Sequence, residues 1–199
     1  MDESGSMWSI KQAAINSVNE TIQTIREAEK EHEDQEHYVT FVSFNSKMKT
    51  ICECVPACEV KEITENDYNP NCNTALYDAM GMSLNALCPK VAEKDRVLVT
   101  VITDGEENSS KEFTGKTVKA LVDELKGKGW IFVYIGANQD VEKVAATISI
   151  TNTMKFEATH EGTMCMSKKS NDSRISFFTR LSNGDFDAVK ENACFFDEE

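Results

Sequence analysis

The sequence is poor in the residues that break or cross-link a chain, with only 3 Pro, 9 Gly, 3 His and 2 Trp among 199 residues. So little Pro and Gly, beside 40% hydrophobic and 28% charged residues, excludes collagen and argues against disorder. No apolar run approaches the ~18 residues of a membrane span, so none is expected. Positive charge is also scarce: 21 Lys and Arg against 34 Asp and Glu leave a formal charge of −13. Binding a phosphate backbone draws on clustered Lys and Arg, and no basic stripe is visible, so no nucleic-acid partner is expected. A chain this long buries roughly 70% of its unfolded surface. It needs neither disulfide nor metal to form a core.

The seven cysteines, at 52, 54, 58, 72, 88, 165 and 194, are odd in number, and several sit in apolar runs. No signal peptide is visible. Together these features point to buried free thiols in a reducing, cytoplasmic compartment.

Hydrophobic spacing sets the order of elements. Ile10, Ala14, Val18, Ile22 and Ile25 recur at steps of three and four and predict a helix over 9–31. Residues 38–44 (YVTFVSF) and 48–54 are rich in aromatic and β-branched types and predict an antiparallel hairpin about Asn45-Ser46. Residues 55–73, dense in Asn, Asp and Pro, read mostly as loop. A second helix runs from Leu76 to Leu87 and ends before Pro89. Residues 96–103 (RVLVTVIT) read as a central strand covered on both faces.

Residues 130–135 (WIFVYI) read as another strand, and Val118, Leu121, Val122 and Leu125 place a helix between the two, a parallel crossover. A short helix over 141–148, an edge strand over 153–157 and a helix over 173–181 follow. The expected fold is an α/β, Rossmann-like three-layer sandwich with a mainly parallel sheet and one antiparallel edge hairpin. One domain, 1–184, precedes an acidic tail, 185–199.

In such sheets ligands bind at the carboxyl ends of the strands. Three segments rich in hydroxyls and carboxylates fall there: Asp2-Glu3-Ser4-Gly5-Ser6, Thr74 before the second helix, and Asp104-Gly105 after the central strand. A hard cation such as Mg²⁺ takes oxygen ligands and keeps waters. Neutral hydroxyls leave it electrophilic, ready for one more anionic oxygen.

Asp2-x-Ser4-x-Ser6, the run from Thr74 to Ala79 and the run from Thr103 to Asn108 together resemble the metal-ion-dependent adhesion site of von Willebrand factor type A domains. The resemblance runs from Asp2 to about Gly162, with Gly129-Trp130 and Gly136-Ala137-Asn138 similar to bacterial members. It implies an Mg²⁺ or Mn²⁺ site bound directly by Ser4, Ser6 and Thr74, with Asp2 and Asp104 acting largely through water. It also implies a non-enzymatic module that captures a carboxylate of a partner protein.

Two features depart from the family. There the D-x-S-x-S motif ends a central strand, whereas only Met1 precedes Asp2, so an N-terminal central strand is expected to be missing. Its place is then held by an upstream segment, by another segment or chain, or is lost by collapse of the neighbouring strands. A lone monomer should be weakened, and strand exchange could give a homodimer. An export signal on an upstream piece would change the compartment. Cys72 stands where related sequences place Gly, and a cysteine adopts positive φ at greater cost.

Other readings compete. Ser4, Ser6, Ser9 and Thr74 could simply cap helices, and Asp104-Gly105 could be an ordinary turn. The joint occurrence favours a metal site. Cys52, Cys54, Cys58 and Cys72 match no common zinc framework. His32 and His37 are five apart and read as a solvated helix end and loop, and His160 is a lone residue. Gly115-Lys116-Thr117 lacks the earlier glycine of a phosphate loop, because Ser110 stands there. A metal-dependent phosphotransferase resembling haloacid dehalogenases would use Asp2 as nucleophile, Thr74 on phosphate and Asp104 near Mg²⁺. Ser4 occupies the position of its acid/base carboxylate. A metal-free scaffold is the third reading.

Overall fold

The computed structural model describes residues 1–137, 140–184 and 195–196. The chain opens with a 3₁₀ turn, Gly5–Ile10, that runs into α1, Lys11–Glu31. β1 (Tyr38–Phe44) and β2 (Met48–Pro56) form the expected antiparallel hairpin. After a loop with a short 3₁₀ turn come α2 (Leu76–Leu87), β3 (Leu98–Thr103), α3 (Gly115–Gly127), β4 (Ile131–Ala137), α4 (Val141–Thr147), β5 (Asn152–Phe156) and α5 (His160–Ser182). The parallel crossovers give a three-stranded sheet in the order β3-β4-β5, separate from the β1-β2 pair. The fold is therefore α/β and Rossmann-like.

Alternation along β4 divides the core. Val133, Ile135 and Ala137 join the apolar stripe of α1 (Ala14, Val18, Ile22) and the Phe177-Phe178 end of α5. Phe132 and Tyr134 point to the opposite face, against α2, α3 and α4. Every β4 residue except Ile131 is buried.

β3, read from its composition as a central strand covered on both faces, lies instead at the edge of this sheet and is half-buried at four of six positions. Between β1 and β3 the described residues place only 1–3. There Phe44 N–H donates to Met1 O (3.1 Å), Glu3 N–H to Phe44 O (2.6 Å) and, on the other side, Asp2 N–H to Ile102 O (2.8 Å). The strands flanking the expected missing strand have not collapsed together.

Other elements depart from expectation for visible reasons. α5 extends 13 residues N-terminal to the predicted start at 173, because its buried stripe includes Thr163, Ser167, Ser170, Asn171, Ser173 and Arg174 and carries little hydrophobic periodicity. Those groups meet polar partners on α1: Ser167 Oγ donates to Glu20 (2.6 Å) and Thr21 Oγ1 to Asn171 (3.2 Å). Of the cysteines, 52, 54 and 88 are half-buried and 58, 72 and 165 exposed, all free thiols, so none of these six is fully buried, although Cys52 and Cys88 pack against the edges of the two cores; Cys194 lies outside the described residues. His37 is half-buried, its ring edge-on to Phe178 at 4.4 Å, rather than solvated. Residues 185–194 and 197–199 of the acidic tail lie outside the described residues, as does Asn138. Phe195 is buried against Phe177, and its N–H donates to Asn152 Oδ1 (3.0 Å). Among the described residues no helix is long and apolar enough to cross a membrane.

Two carboxylates tie the loop after β3 to the start of α2. Asp78 accepts from the N–H groups of Lys111, Glu112 and Phe113 at 2.7–2.9 Å. Glu107 accepts from those of Tyr77, Ser109 and Ser110 at 2.8–2.9 Å. Burial pushes the Asp78 carboxyl up, but its N–H donors outweigh that and hold it below its ordinary value. A lowered folded pKa stabilises above the unfolded value and is lost as pH falls through the folded one. Asp78→Ala should cost roughly 1–3 kcal/mol at pH 7, read from urea unfolding. The difference from the parent should shrink below about pH 4.

Candidate functional site

The five predicted residues converge at the carboxyl end of β3. Asp2 is fully buried where the chain crosses between the two sheets. Its Oδ1 accepts from Ser4 N–H (2.7 Å) and its Oδ2 from Thr103 Oγ1 (2.6 Å). Ser4 Oγ lies 3.1 Å from Ser6 Oγ, and Ser6 Oγ donates to Asp104 Oδ1 (2.6 Å). Ser4, Thr74 and Asp104 are buried, while Ser6 opens to solvent.

Gly105 closes the ring. A Cβ at this position would lie 3.0 Å from Thr74 Oγ1, 3.6 Å from Asp2 Oδ2 and 3.6 Å from Ser6 Oγ. Oxygens from two of the three sequence segments therefore face a point beside Gly105 that glycine leaves clear, and Asp104 of the third joins them through Ser6. Three neutral hydroxyls and two carboxylates are the donor set that a hard divalent cation prefers, so the residues present fit such an ion. Among the described residues no group of three or more His, Cys, Asp and Glu is placed to hold a metal ion, so an ion at this site would rest on the hydroxyls beside the two carboxylates.

Capping does not account for these side chains. Ser4 precedes the 3₁₀ turn without a side-chain cap bond, and the residue capping α2 is Ala75, not Thr74. Thr74 instead clasps Asn108: its N–H donates to Asn108 Oδ1 (3.0 Å), and Asn108 N–H donates to Thr74 O (3.0 Å). Lys116 lies exposed at the start of α3, whose cap is a reciprocal pair between Thr114 and Thr117.

Burial raises the Asp2 carboxyl, against the lowering effect of its bonds from Thr103 and Ser4. Burial also raises Asp104, with Ser6 lowering it and the Asp2 charge adding to the rise. The chain's two described ion pairs, Lys90–Glu53 and Lys128–Glu124, involve neither residue. The site is thus a pocket of costly negative charge held by hydroxyls and amides.

Sequence reasoning missed Tyr68. This buried side chain donates through its hydroxyl to Asp2 O (2.6 Å) and pins the motif from the loop side. A single tyrosine in a run of Asn, Asp and Pro was the available cue. Glu3 helps from the same side, since Asn69 N–H donates to its carboxylate (2.5 Å) and Asn71 N–H to its carbonyl (2.9 Å).

No family model matches the chain, and no curated protein matches it. Solved structures do. Proximal thread matrix protein 1 from the mussel byssus superposes with a TM-score of 0.58 at 13% identity, over 87% of this chain and 44% of that one. The chain thus spans less than half of that protein. BatB, a conserved hypothetical protein from Bacteroides thetaiotaomicron, superposes with a TM-score of 0.52 at 13% identity, over 88% of this chain and 96% of that one. At such identity the likeness establishes fold alone, a von Willebrand factor A-like fold.

Cys72 bears out the concern raised by its sequence position. It adopts φ 61°, and its carbonyl accepts from Gly5 N–H (3.0 Å), joining the Thr74 loop to the D-x-S-x-S segment. The left-handed region costs a non-glycine residue roughly 1–2 kcal/mol, of which glycine's greater unfolded freedom offsets about 0.5–1 kcal/mol. Cys72→Gly should therefore raise stability by about 0.5–1 kcal/mol, read as a higher urea midpoint at unchanged slope.

Proposed function

We propose that this protein is a binding module that uses a divalent cation, Mg²⁺ or Mn²⁺, to capture an acidic group of a partner protein. The hydroxyls of Ser4, Ser6 and Thr74 would hold the ion directly, and Asp2 and Asp104 largely through water. Bound this way, a divalent ion keeps enough electrophilicity to accept a carboxylate oxygen. The observation that carries the reading is the convergence of Thr74 Oγ1, Asp2 Oδ2 and Ser6 Oγ beside the clear face of Gly105, with Ser4 and Asp104 bonded to Ser6. The fold-level likeness to A-type domains agrees with it, as an analogy.

The chain's own residues do the positioning. Thr103 and the Ser4 amide fix the Asp2 carboxylate, Asn108 fixes Thr74, and Tyr68 fixes the Asp2 backbone. Ser6 stands at the solvent-facing side, where a partner would arrive. Trp8, 61% exposed on the same turn with Lys11 Nζ 5.5 Å from its ring centroid, offers an aromatic surface beside it. We propose no catalytic activity. Both Asp2 oxygens are engaged in hydrogen bonds inside the protein, which weighs against Asp2 as the nucleophile of a phosphotransferase.

Calorimetric titration with MgCl₂ and MnCl₂ tests the site, with Trp8 fluorescence as a second readout because the other tryptophan, Trp130, is buried. The parent should bind one ion. Ser4→Ala with Ser6→Ala should abolish binding while leaving the circular dichroism spectrum unchanged, and Gly105→Ala should weaken it at least tenfold by placing a methyl 3.0 Å from Thr74 Oγ1. Retained affinity in the double variant would overturn the assignment. If the parent binds no ion, the metal-free scaffold takes its place.

A further inference from the structure

A cavity of about 220 Å³ lies between α1, the β1-β2 hairpin and the loop that follows β2. Ile22 of α1, Phe41 of β1, Ile51 and Val55 of β2, and Val60 and Ile63 of the loop give it an apolar lining. Residues 1–3 bond to the opposite edge of β1, so β1 stands between them and β2, which forms most of the sheet wall of the cavity. The cavity is therefore separate from the strand position those residues hold, and it shares no residue with the hydroxyl ring at the end of β3.

The hairpin is irregular at this wall. From Val39 to Val42, β1 is opposed by Val55 to Thr50 of β2, two residues more, and the register shifts on both sides of Phe41. In a regular strand, neighbours such as Ile51 and Cys52 point to opposite faces. Here both pack on the α1/α5 core and both line the cavity. Cys54, within one of the shifts, takes φ 48°, a conformation unfavourable for a residue with a Cβ. Bulges of this kind re-aim side chains and recur beside functional sites.

The loop wall is bolted to α1. Arg26 donates from Nε to Ala57 O (3.0 Å) and from Nη2 to Val60 O. Gln23 Nε2 donates to Glu62 Oε1 (2.9 Å), and Asn19 bonds the Ile63 backbone both ways, at 2.9 and 3.0 Å. Asn19, Gln23 and Arg26 follow one another at steps of four and three, hence along one helix face. The loop is thus held along its length and does not settle into the space beside Ile22. Little in the lining suits water or charge. Cys52 Sγ donates to Val39 O (3.7 Å), and burial pushes its thiol up, which keeps it neutral. An ordered water needs about two to four polar partners, whereas Val60 O and the Ile63 backbone are already engaged by α1. Glu59 and Lys61, both exposed, bring opposite charges to the rim, so it favours neither sign.

We propose that this cavity is a binding site for a small, uncharged, apolar molecule of about ten non-hydrogen atoms, the size of two fused rings. Size and lining set that class: an apolar cavity of about 150 Å³ lined by Leu, Ile and Phe admits benzene, and this one, at about 220 Å³, has room for a second ring. Affinity comes from removing the ligand's apolar surface from water and from contacts with walls that otherwise face a void. The bulged strand and the bolted loop hold those walls apart beforehand. This site is independent of the proposed metal centre.

The probe is indole, titrated into the full chain. At saturation the melting temperature should rise by about 4 °C or more. Alkylation of Cys52 by iodoacetamide, followed by peptide mapping, should slow at least tenfold, while Cys72 and Cys165, exposed and outside the lining, react at unchanged rates. Val55→Phe places a ring in the cavity and should abolish the melting shift with the circular dichroism spectrum unchanged. Should that variant fail to fold, Val55→Leu, a smaller filler, should weaken indole at least threefold. Equal slowing at all three cysteines would mean nonspecific apolar adhesion and would overturn the proposal. Absence of both the melting shift and the protection of Cys52 in the parent would overturn it too, as would undiminished binding in a folded Val55 variant.

Discussion

The structure turns on how Asp2 is held. Its backbone N–H bonds the β3 side through Ile102, its carbonyl accepts from Tyr68, and its two carboxylate oxygens accept from Ser4 and Thr103. One residue thus joins the two sheets, anchors the 55–73 loop and shapes the turn that carries Ser4 and Ser6. A buried carboxylate is costly unless its lone pairs are met. Here every bond that meets them also fixes a neighbour of the site, so the expense of burial is coupled to the geometry of the hydroxyl ring.

The second half of the site is held differently. Thr74 and Asp104 lie on segments that follow unrelated elements, and what brings them into register is a set of side-chain bonds to backbone N–H groups. Asn108 clasps Thr74, while Glu107 and Asp78 collect five further loop amides and that of Tyr77. Free amides at the start of α2 and in the loop after β3 would otherwise face solvent or each other. A charged acceptor with several donors gives a stiffer joint than a neutral one. This explains how a loop of mostly polar residues can present an oxygen to an atomic position.

Much of this was legible in the residues. The 3.6 period of α1 and the β-branched runs of β1, β3 and β4 state their elements directly, and the alternation of β4 states which side chains face which core. The hydroxyl-carboxylate segments were legible because three of them fall at one edge of the sheet. What could not be read follows from long-range partners. α5 buries serines, threonines, an asparagine and Arg174 against polar groups of α1, so hydropathy conceals its first half. β3 has the composition of a central strand, yet its burial depends on a neighbour that composition cannot supply. Tyr68 matters through one hydroxyl at a sequence distance of 66, which leaves no local trace.

The electrostatics of the site bear on what it can accept. The chain carries a net charge of −13, and the field of that charge beyond about 8 Å is screened at physiological ionic strength. A carboxylate-bearing partner therefore gains nothing from long-range attraction and must be held by something local. Asp2 and Asp104 sit close enough for the charge of one to raise the other, and burial raises both. Hydroxyl and amide donors reduce this strain without cancelling it, since the net direction of both shifts is upward. Under the proposed function, a divalent cation among these oxygens would offset the local negative charge. The buried negative charge whose burial is costly is what would favour a cation there, and through it an anionic partner group.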